Sequence, residues 1–230
     1  MKTNLKTLLI LLFMFLTFAG FSQKEQRMVR LGLKASPGID WMNPDEKHYS
    51  YNGVAAGVTL GFVSDFYFNA NYGLSTGFNF SFLGGKIQYP YAQKPDTGMI
   101  SRKYSFRYLE IPLMIKMRTR QFGIVNYYAQ VGFGTGFRLK ASGKDDFDTK
   151  SDGIISDRGT LPVSETTAIR EAVLVGAGAE INLDETISIV IGLSYSNSLN
   201  NVLKGSNTRY PNLDNRSTLN YAELTIGVLF

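Results

Sequence analysis

The sequence lacks cysteine altogether: none of its 230 residues carries a thiol. Disulfide bonds therefore cannot stabilise the fold, and attachment to a membrane through a lipidated cysteine is excluded. An exported protein of this kind has to be held together by buried surface and by hydrogen bonds.

Long apolar runs are also scarce, and the clearest one lies near the start of the chain. Residues 8–21 carry no charge and follow Lys2 and Lys6. At about 14 residues this run is too short for a transmembrane helix, which needs about 20. A basic start, an apolar stretch and small residues at its end are typical of a secretory signal peptide. We therefore expect residues 1–22 to be removed and residues 23–230 to form the mature protein.

A strong charge of one sign is missing as well. The formal charge of +5 falls to +3 when the two lysines of the signal peptide leave. Such a mild excess does not indicate binding to nucleic acid, and we expect no nucleic-acid partner.

What the mature chain does contain is strict alternation of apolar and polar residues. Stretches with this period of two, rich in β-branched and aromatic residues, occur eight times and are separated by turn-like clusters. They predict strands at 28–37, 53–63, 70–83, 104–118, 123–140, 168–181, 186–196 and 218–230. Helical periodicity is not convincing anywhere, and an all-β domain of about 200 residues has an ordinary size.

The two faces of these strands differ in kind. One face is apolar throughout, whereas the other combines many glycines with charged and polar residues. Two closed architectures fit this pattern: a soluble lipocalin-like carrier with its apolar face inside, or a membrane barrel with its apolar face outside. The interior of an eight-stranded barrel is narrow and needs small residues wherever large polar ones cross it. The glycine-rich face therefore favours an eight-stranded antiparallel up-and-down transmembrane β-barrel.

The lengths of the connections favour the same fold. Long connections at 38–52, 84–103, 141–167 and 197–217 alternate with short ones at 64–66, 119–121 and 182–185. Outer-membrane barrels have short turns at the periplasmic rim and long loops at the extracellular rim. The prediction is an outer-membrane barrel with both termini in the periplasm and four long loops outside the cell.

The polar face also predicts a network of charged side chains inside the barrel. An unpaired ion would be costly there, so the charges are expected to pair across the interior, with Lys34 and Glu223 at similar depth on neighbouring strands. Because eight strands leave no aqueous channel, the network is expected to plug the lumen rather than to conduct ions. Its predicted members are Arg30, Lys34, Glu110, Lys116, Gln130, Arg138, Glu180 and Glu223.

Candidate catalytic and metal sites are weak by comparison. His48 is the only histidine and lies in the first long connection beside Asp45 and Glu46, with Ser50 close in sequence. An outer-membrane enzyme with His48 at its rim is an alternative, although general acid–base catalysis would need a partner at hydrogen-bonding distance. The segment DFDTKSDG at 146–153 fails the calcium-loop pattern, because Lys150 occupies a ligand position. We therefore predict no catalytic residue, no metal and no cofactor.

Basic residues in the long connections suggest contacts with the membrane surface. The second connection contains Lys86, Lys94, Arg102 and Lys103. Such residues at the outer rim can neutralise the phosphates of lipopolysaccharide, so outer-membrane lipid and lipopolysaccharide are expected partners.

Several segments resemble a known family. VRLGLKAS at 29–36, YLEIPLMIK at 108–116, YAQVGFGTGF at 128–137 and the last strand are similar to the PorT-type outer-membrane β-barrel domain that is common in Bacteroidetes. The resemblance covers nearly the whole mature chain and implies a fold and a location more than an activity. The member for which the family is named helps to assemble a protein-secretion apparatus, but the loops contain no motif that matches that member.

The end of the chain resembles a second known signal. The last strand contains Tyr221 and ends in Phe230, which resembles the C-terminal signal that the barrel assembly machinery recognises in outer-membrane proteins. Together these features predict a non-enzymatic integral outer-membrane barrel with a plugged lumen. It would act through its loops or rims, in a structural, adhesive or secretion-accessory role, with a secretion-system or surface protein as a partner.

Overall fold

The computed structural model describes residues 28–93, 96–149, 153–159, 165–206 and 214–230. The predicted signal peptide and Lys94 lie outside these ranges. The strands are β1 Val29–Pro44, β2 Ser50–Tyr51, β3 Ala55–Tyr67, β4 Tyr72–Gln93, β5 Asp96–Arg118, β6 Val125–Thr149, β7 Gly153–Gly159, β8 Ile169–Asn182, β9 Ser188–Ser198 and β10 Ser217–Leu229.

The eight long strands close into an antiparallel barrel, as the alternation predicts. Each pairs with its neighbours along the chain, and β1 pairs with β10 to complete the ring, while the short strands β2 and β7 pair with β4 and β6. At the closing seam the backbone of Phe230 exchanges two hydrogen bonds with that of Leu31, at 3.0 and 2.7 Å. In the described part of the chain no helix has the length and apolarity needed to cross a membrane.

The outer surface of the barrel carries a continuous apolar band. Period-two alternation sends every second side chain outward, and these side chains remain exposed even when they are large, as with Phe133 at 61% and Leu193 at 68%. The band runs over β1, β3, β4, β5, β6, β8, β9 and β10. The alternative of a soluble lipocalin-like carrier is therefore wrong, because that fold needs the apolar face inside.

Large parts of two predicted long loops are strands in the structure. Residues 38–44 of a third predicted loop continue β1, and the predicted turn at 64–66 lies within β3. Residues 84–93 and 96–103 continue the β4–β5 hairpin, and residues 141–149 continue β6, so the sheet extends well beyond the apolar band. We call this part, residues 83–93, 96–108 and 140–149, the sheet extension.

Polarity inverts between the band and the sheet extension. In the band apolar side chains point outward, whereas in the extension Leu83, Ile87 and Phe106 point inward and are buried. Lys86 and Lys103 take the outward positions. This is the ordinary pattern of a sheet with one face in water, so a search for membrane-type alternation reads these residues as loops.

The inward face of the sheet extension forms an apolar core that covers one end of the barrel. Tyr104 and Phe106 stack with ring centroids 6.0 Å apart. Both rings are almost completely buried. The cluster, which we call the upper core, contains Met42, Tyr49, Leu83, Ile87, Tyr89, Ile100, Tyr104, Phe106, Tyr108, Ala141, Val202, Leu203, Leu219 and Tyr221.

A β-bulge at Leu139 links the two polarities in β6. Arg107 pairs with Lys140 and Tyr108 pairs with Arg138, so Leu139 has no partner in β5. The extra residue shifts the alternation by one position, so the outward positions are odd before the bulge and even after it. Lys140 and Lys144 consequently face outward, while Ala141 and Asp145 face inward.

Candidate functional site

The lower half of the barrel interior, near the short turns, is organised around Glu180. Its carboxylate lies 2.9 Å from Arg30 Nη1 and 2.6 Å from Lys116 Nζ. Lys116 is also 2.6 Å from Asp65 Oδ2, and Arg118 Nη1 lies 3.6 Å from Glu180 Oε2. All these side chains come from inward positions of β1, β3, β5 and β8, so the cluster ties four strands together.

Aromatic rings support the cations of this lower cluster. Lys116 Nζ lies 4.6 Å from the centre of the Tyr128 ring, and the Arg118 guanidinium lies 4.3 Å from that of Tyr67. A ring face attracts a cation most strongly when both are removed from water. Gly192 leaves the space that the Tyr128 hydroxyl occupies, since a Cβ at this position would collide with the hydroxyl.

A second cluster, in the upper half of the interior, is organised around Glu110. Arg170 Nη1 donates to Glu110 Oε1 at 2.7 Å, while Tyr221 and Ser81 donate to Oε2 at 3.1 and 2.8 Å. Arg170 also donates to Ser196 Oγ at 2.8 Å and to the carbonyl of Leu219 at 2.9 Å. The Arg170 guanidinium therefore joins β5, β8, β9 and β10.

Lys34 and Glu223 lie between the two clusters. Lys34 Nζ is 3.7 Å from Glu223 Oε1, on the neighbouring strands β1 and β10. Nearby, Asp40 Oδ2 accepts a hydrogen bond of 2.8 Å from the backbone N–H of Gly84. Gly57 leaves the space for the Asp40 carboxylate, which a Cβ there would meet.

The structure brings most of the predicted network together and adds members to it. Arg30, Lys116 and Glu180 meet in the lower cluster, Glu110 centres the upper one, and Lys34 and Glu223 form the pair between them. Arg138 and Gln130 lie on the inward face but make no ion pair or hydrogen bond with another described side chain.

Four charged residues of the interior are absent from the sequence prediction: Asp40, Asp65, Arg118 and Arg170. Asp40 lies in a segment that is predicted to be a loop, and Asp65 lies in a predicted turn. Arg170 shares its parity with Glu180 on the same strand, so its inward position follows from the alternation.

The charges of the two clusters and of the residues between them, which do not include Arg138, are balanced in number. The cations Arg30, Lys34, Lys116, Arg118 and Arg170 are matched in number by the carboxylates of Asp40, Asp65, Glu110, Glu180 and Glu223. A cavity of about 50 Å³ remains among residues that include Lys34, Asn79 and Tyr128. That volume is enough for a few water molecules bonded to polar walls.

Above the clusters, a buried arginine closes the mouth of the barrel. Arg102 donates from Nε to Asp145 Oδ1 at 2.5 Å and from Nη2 to Oδ2 at 2.7 Å. Its Nη1 lies 3.6 Å from Glu165 Oε2, which belongs to the segment before β8. Arg102, predicted from the sequence to be an exposed basic residue of the outer rim, is instead buried and paired.

His48 is exposed at the long-loop rim. Its Nδ1 lies 3.3 Å from Glu46 Oε1, and 58% of its side chain is accessible. The nearby Ser50 hydroxyl donates to the carbonyl of Gln88 at 3.4 Å and makes no hydrogen bond with the histidine. Among the described residues, no group of three or more His, Asp or Glu side chains is arranged to hold a metal ion.

The two residues of the predicted assembly signal point in opposite directions. Tyr221 is buried in the interior, where its hydroxyl bonds to Glu110, whereas the Phe230 side chain is 46% exposed at the edge of the apolar band. Recognition of this strand by the barrel assembly machinery stays a prediction.

Comparison with known proteins agrees with this architecture. Residues 21–204 match the family model described as outer membrane protein beta-barrel domain. None of the curated proteins gives a significant match to the chain.

Solved outer-membrane barrels are similar to the chain at low sequence identity. Neisserial surface protein A (NspA) from Neisseria is 11% identical, with 88% of this chain and 96% of that chain covered and a TM-score of 0.44. Ail, the attachment invasion locus protein of Yersinia pestis, is 16% identical, with 89% and 100% covered and a TM-score of 0.40. OprG from Pseudomonas aeruginosa is 10% identical, with 88% and 94% covered and a TM-score of 0.42.

Proposed function

The chain belongs to the outer membrane protein β-barrel domain family, and on this premise we propose that it is a non-enzymatic integral outer-membrane protein that acts through its long-loop rim. The apolar band is the lipid-facing surface, with about 10 residues of each strand inside the bilayer. The short turns and both termini of the chain face the periplasm, and the sheet extension stands outside the cell.

The filled interior supports a role other than conduction. An ion or solute would have to pass both the Glu180 and the Glu110 clusters, whose members are hydrogen-bonded and buried. Separating a buried ion pair is costly, because each partner is then left uncompensated in a medium of low polarity. The upper core adds a second, apolar barrier above the charges.

The observation that carries this proposal is the sheet extension. Its apolar side chains close over the mouth of the barrel, and its polar face is presented to solvent. A rigid, folded platform of this kind suits a structural, adhesive or secretion-accessory role better than a flexible loop does, because little ordering is needed when a partner binds. The resemblance to PorT-type proteins favours a surface or secretion-system protein as that partner.

Two measurements test this function together. A photo-crosslinking amino acid at Pro90, an exposed position of the sheet extension, should give a discrete adduct with an outer-surface or secreted protein in living cells. The same probe at Asn69, exposed in a short turn, should not give that adduct. The purified barrel should leave the conductance of a planar bilayer unchanged.

Either of two results would overturn the proposal. One is steady channel conductance, which would make the barrel a transporter. The other is loss of a lipid- or protein-modifying activity in His48→Ala with the barrel still folded, which would favour the rim enzyme.

A further inference from the structure

The outer surface of the sheet extension carries a group of cations directly above the apolar band. Lys86 pairs across the strands with Lys103, and Lys103 pairs on its other side with Lys144. Four residues closer to the band on each strand, Arg107 pairs with Lys140. Like charges directly opposite each other in a sheet destabilise it, so these three cross-strand pairs have an energetic cost that the fold does not require.

Among the side chains that the structure describes, carboxylates compensate one of these five cations. Lys144 Nζ lies 3.3 Å from Asp146 Oδ1, and both side chains are more than 40% exposed. Lys86, Lys103, Arg107 and Lys140 have no ion pair with any carboxylate that the structure describes. This contrasts with the interior, where the buried cations of both clusters are paired.

Small residues separate the two rows of cations and form the floor of a groove. Gly84, Ser105 and Ser142 occupy the same outward face between the Lys103 row and the Arg107 row. The groove has a volume of about 560 Å³, and its walls include Lys103, Arg107 and Lys140. Residues four apart on a strand are about 13 Å apart, so long side chains from both rows can reach an anion on the floor.

The groove opens onto the lipid-facing surface. Phe82 lies on its wall and pairs with Arg107, and the guanidinium of Arg107 lies 5.7 Å from the centre of the Phe82 ring. Phe82 belongs to the apolar band, whose exposed side chains continue below it. A molecule that binds here can therefore place an anionic group on the cations and an apolar tail against the band.

The bulge at Leu139 creates this arrangement. Without it, the alternation before the bulge would continue, and Ala141, Gly143 and Asp145 would point outward in place of Lys140, Ser142 and Lys144. Bulges commonly redirect side chains at the rims of barrels. Here the bulge places Lys140 beside Arg107 and turns Asp145 inward.

We propose that this cationic groove, formed by Lys86, Lys103, Arg107, Lys140 and Lys144, binds the phosphate groups of an anionic lipid of the surrounding leaflet. Its position at the upper edge of the band matches the height of lipid headgroups, and lysine and arginine near a membrane surface attract anionic lipids. Lysine and arginine at such a boundary also keep their apolar stems in contact with lipid.

The test is a titration of the barrel with diphosphorylated lipid A in an uncharged detergent. Native mass spectrometry measures the amount of lipid bound. We expect the wild-type protein to bind this lipid at least about tenfold more tightly than dephosphorylated lipid A. The triple variant Lys103→Gln, Arg107→Gln, Lys140→Gln should lose that preference. Its matched control is Lys47→Gln, Lys204→Gln, Arg216→Gln, which removes three exposed cations of the same rim and should keep it.

Heat-modifiable gel mobility shows whether each variant has formed a barrel. If the triple variant does not fold, Lys140→Gln alone should lower the preference about fivefold. The proposal is overturned if the groove variant and the control bind equally, or if the dephosphorylated lipid binds as well as the phosphorylated one. Displacement of the lipid by millimolar inorganic phosphate would assign the groove to a soluble anion and would contradict the lipid assignment.

Discussion

At the scale of single residues, the interior depends on a few side chains that each satisfy several others. Glu180 accepts contacts from Arg30, Lys116 and Arg118, and it is fully buried. Arg170 has a comparable role in the upper cluster, where it bonds to Glu110, Ser196 and the backbone of β10. Loss of such a central residue leaves several buried groups unsatisfied at once.

The substitution Glu180→Gln tests this dependence. It keeps the shape of the side chain but removes the charge that holds three cations, and we expect the free energy of unfolding to fall by about 3 kcal/mol. The measurement is urea denaturation of the barrel in detergent micelles, with heat-modifiable mobility as the readout of the folded form.

The matched control for this experiment is Glu185→Gln, an exposed carboxylate in the turn between β8 and β9. It should leave the denaturation midpoint almost unchanged, because exposed ion pairs contribute little. Equal midpoints for the two variants would show that the lower cluster does not stabilise the barrel.

At the scale of strands, the sequence contains most of the information about the band and little about what lies above it. The alternation of β8, β9 and β10 predicts their bounds to within two residues and their outward faces correctly. Most of the length of these strands lies in the band, where one polarity holds. Parity then separates the two faces, and the glycine-rich face is the inner one, since lipid and lumen make opposite demands on neighbouring side chains.

The prediction fails where the solvent outside the sheet changes from lipid to water. In β4, β5 and β6 the outward positions change from Phe82 and Leu109 in the band to Lys86 and Lys103 in the sheet extension. A strand that crosses this boundary shows no single alternation, and the bulge at Leu139 also shifts the parity of β6. The charge partners are less predictable still, because pairing depends on the register between strands.

A core substitution in the sheet extension separates its stability from that of the barrel. Ile87 is fully buried in the upper core, so Ile87→Ala should destabilise the extension by about 2–5 kcal/mol. Because the band and the two charge clusters are unchanged, the barrel itself should stay closed. Limited proteolysis should therefore cut the extension faster, while heat-modifiable mobility is retained.

Gln88→Ala is the control for that comparison, since its side chain points away from the upper core on the same strand. Its rate of proteolysis should equal that of the wild type. If Ile87→Ala also abolished heat-modifiable mobility, the extension and the barrel would be one cooperative unit rather than two.

At the scale of the whole molecule, the barrel combines three environments along one axis. Balanced charge clusters fill the lower and middle parts of its interior, the apolar upper core closes its mouth, and an apolar band surrounds the clusters on the outside. Such an arrangement has a low cost in a bilayer, because each strand of the band is paired on both sides and the ions of the clusters are partnered. It leaves the polar face of the sheet extension as the surface that is available for function.

The central claim is that the apolar face of the strands contacts lipid and the charged face fills the lumen. The most direct test is a nitroxide scan of single cysteines along β9, which is feasible because the chain has no native cysteine. In lipid vesicles we expect strong relaxation by dissolved oxygen at the odd positions from 187 to 195 and weak relaxation at positions 188, 190 and 194. Gly192 is left unlabelled, because a side chain there would collide with the Tyr128 hydroxyl. Oxygen accessibility at the even positions, or a profile without a period of two, would contradict the account.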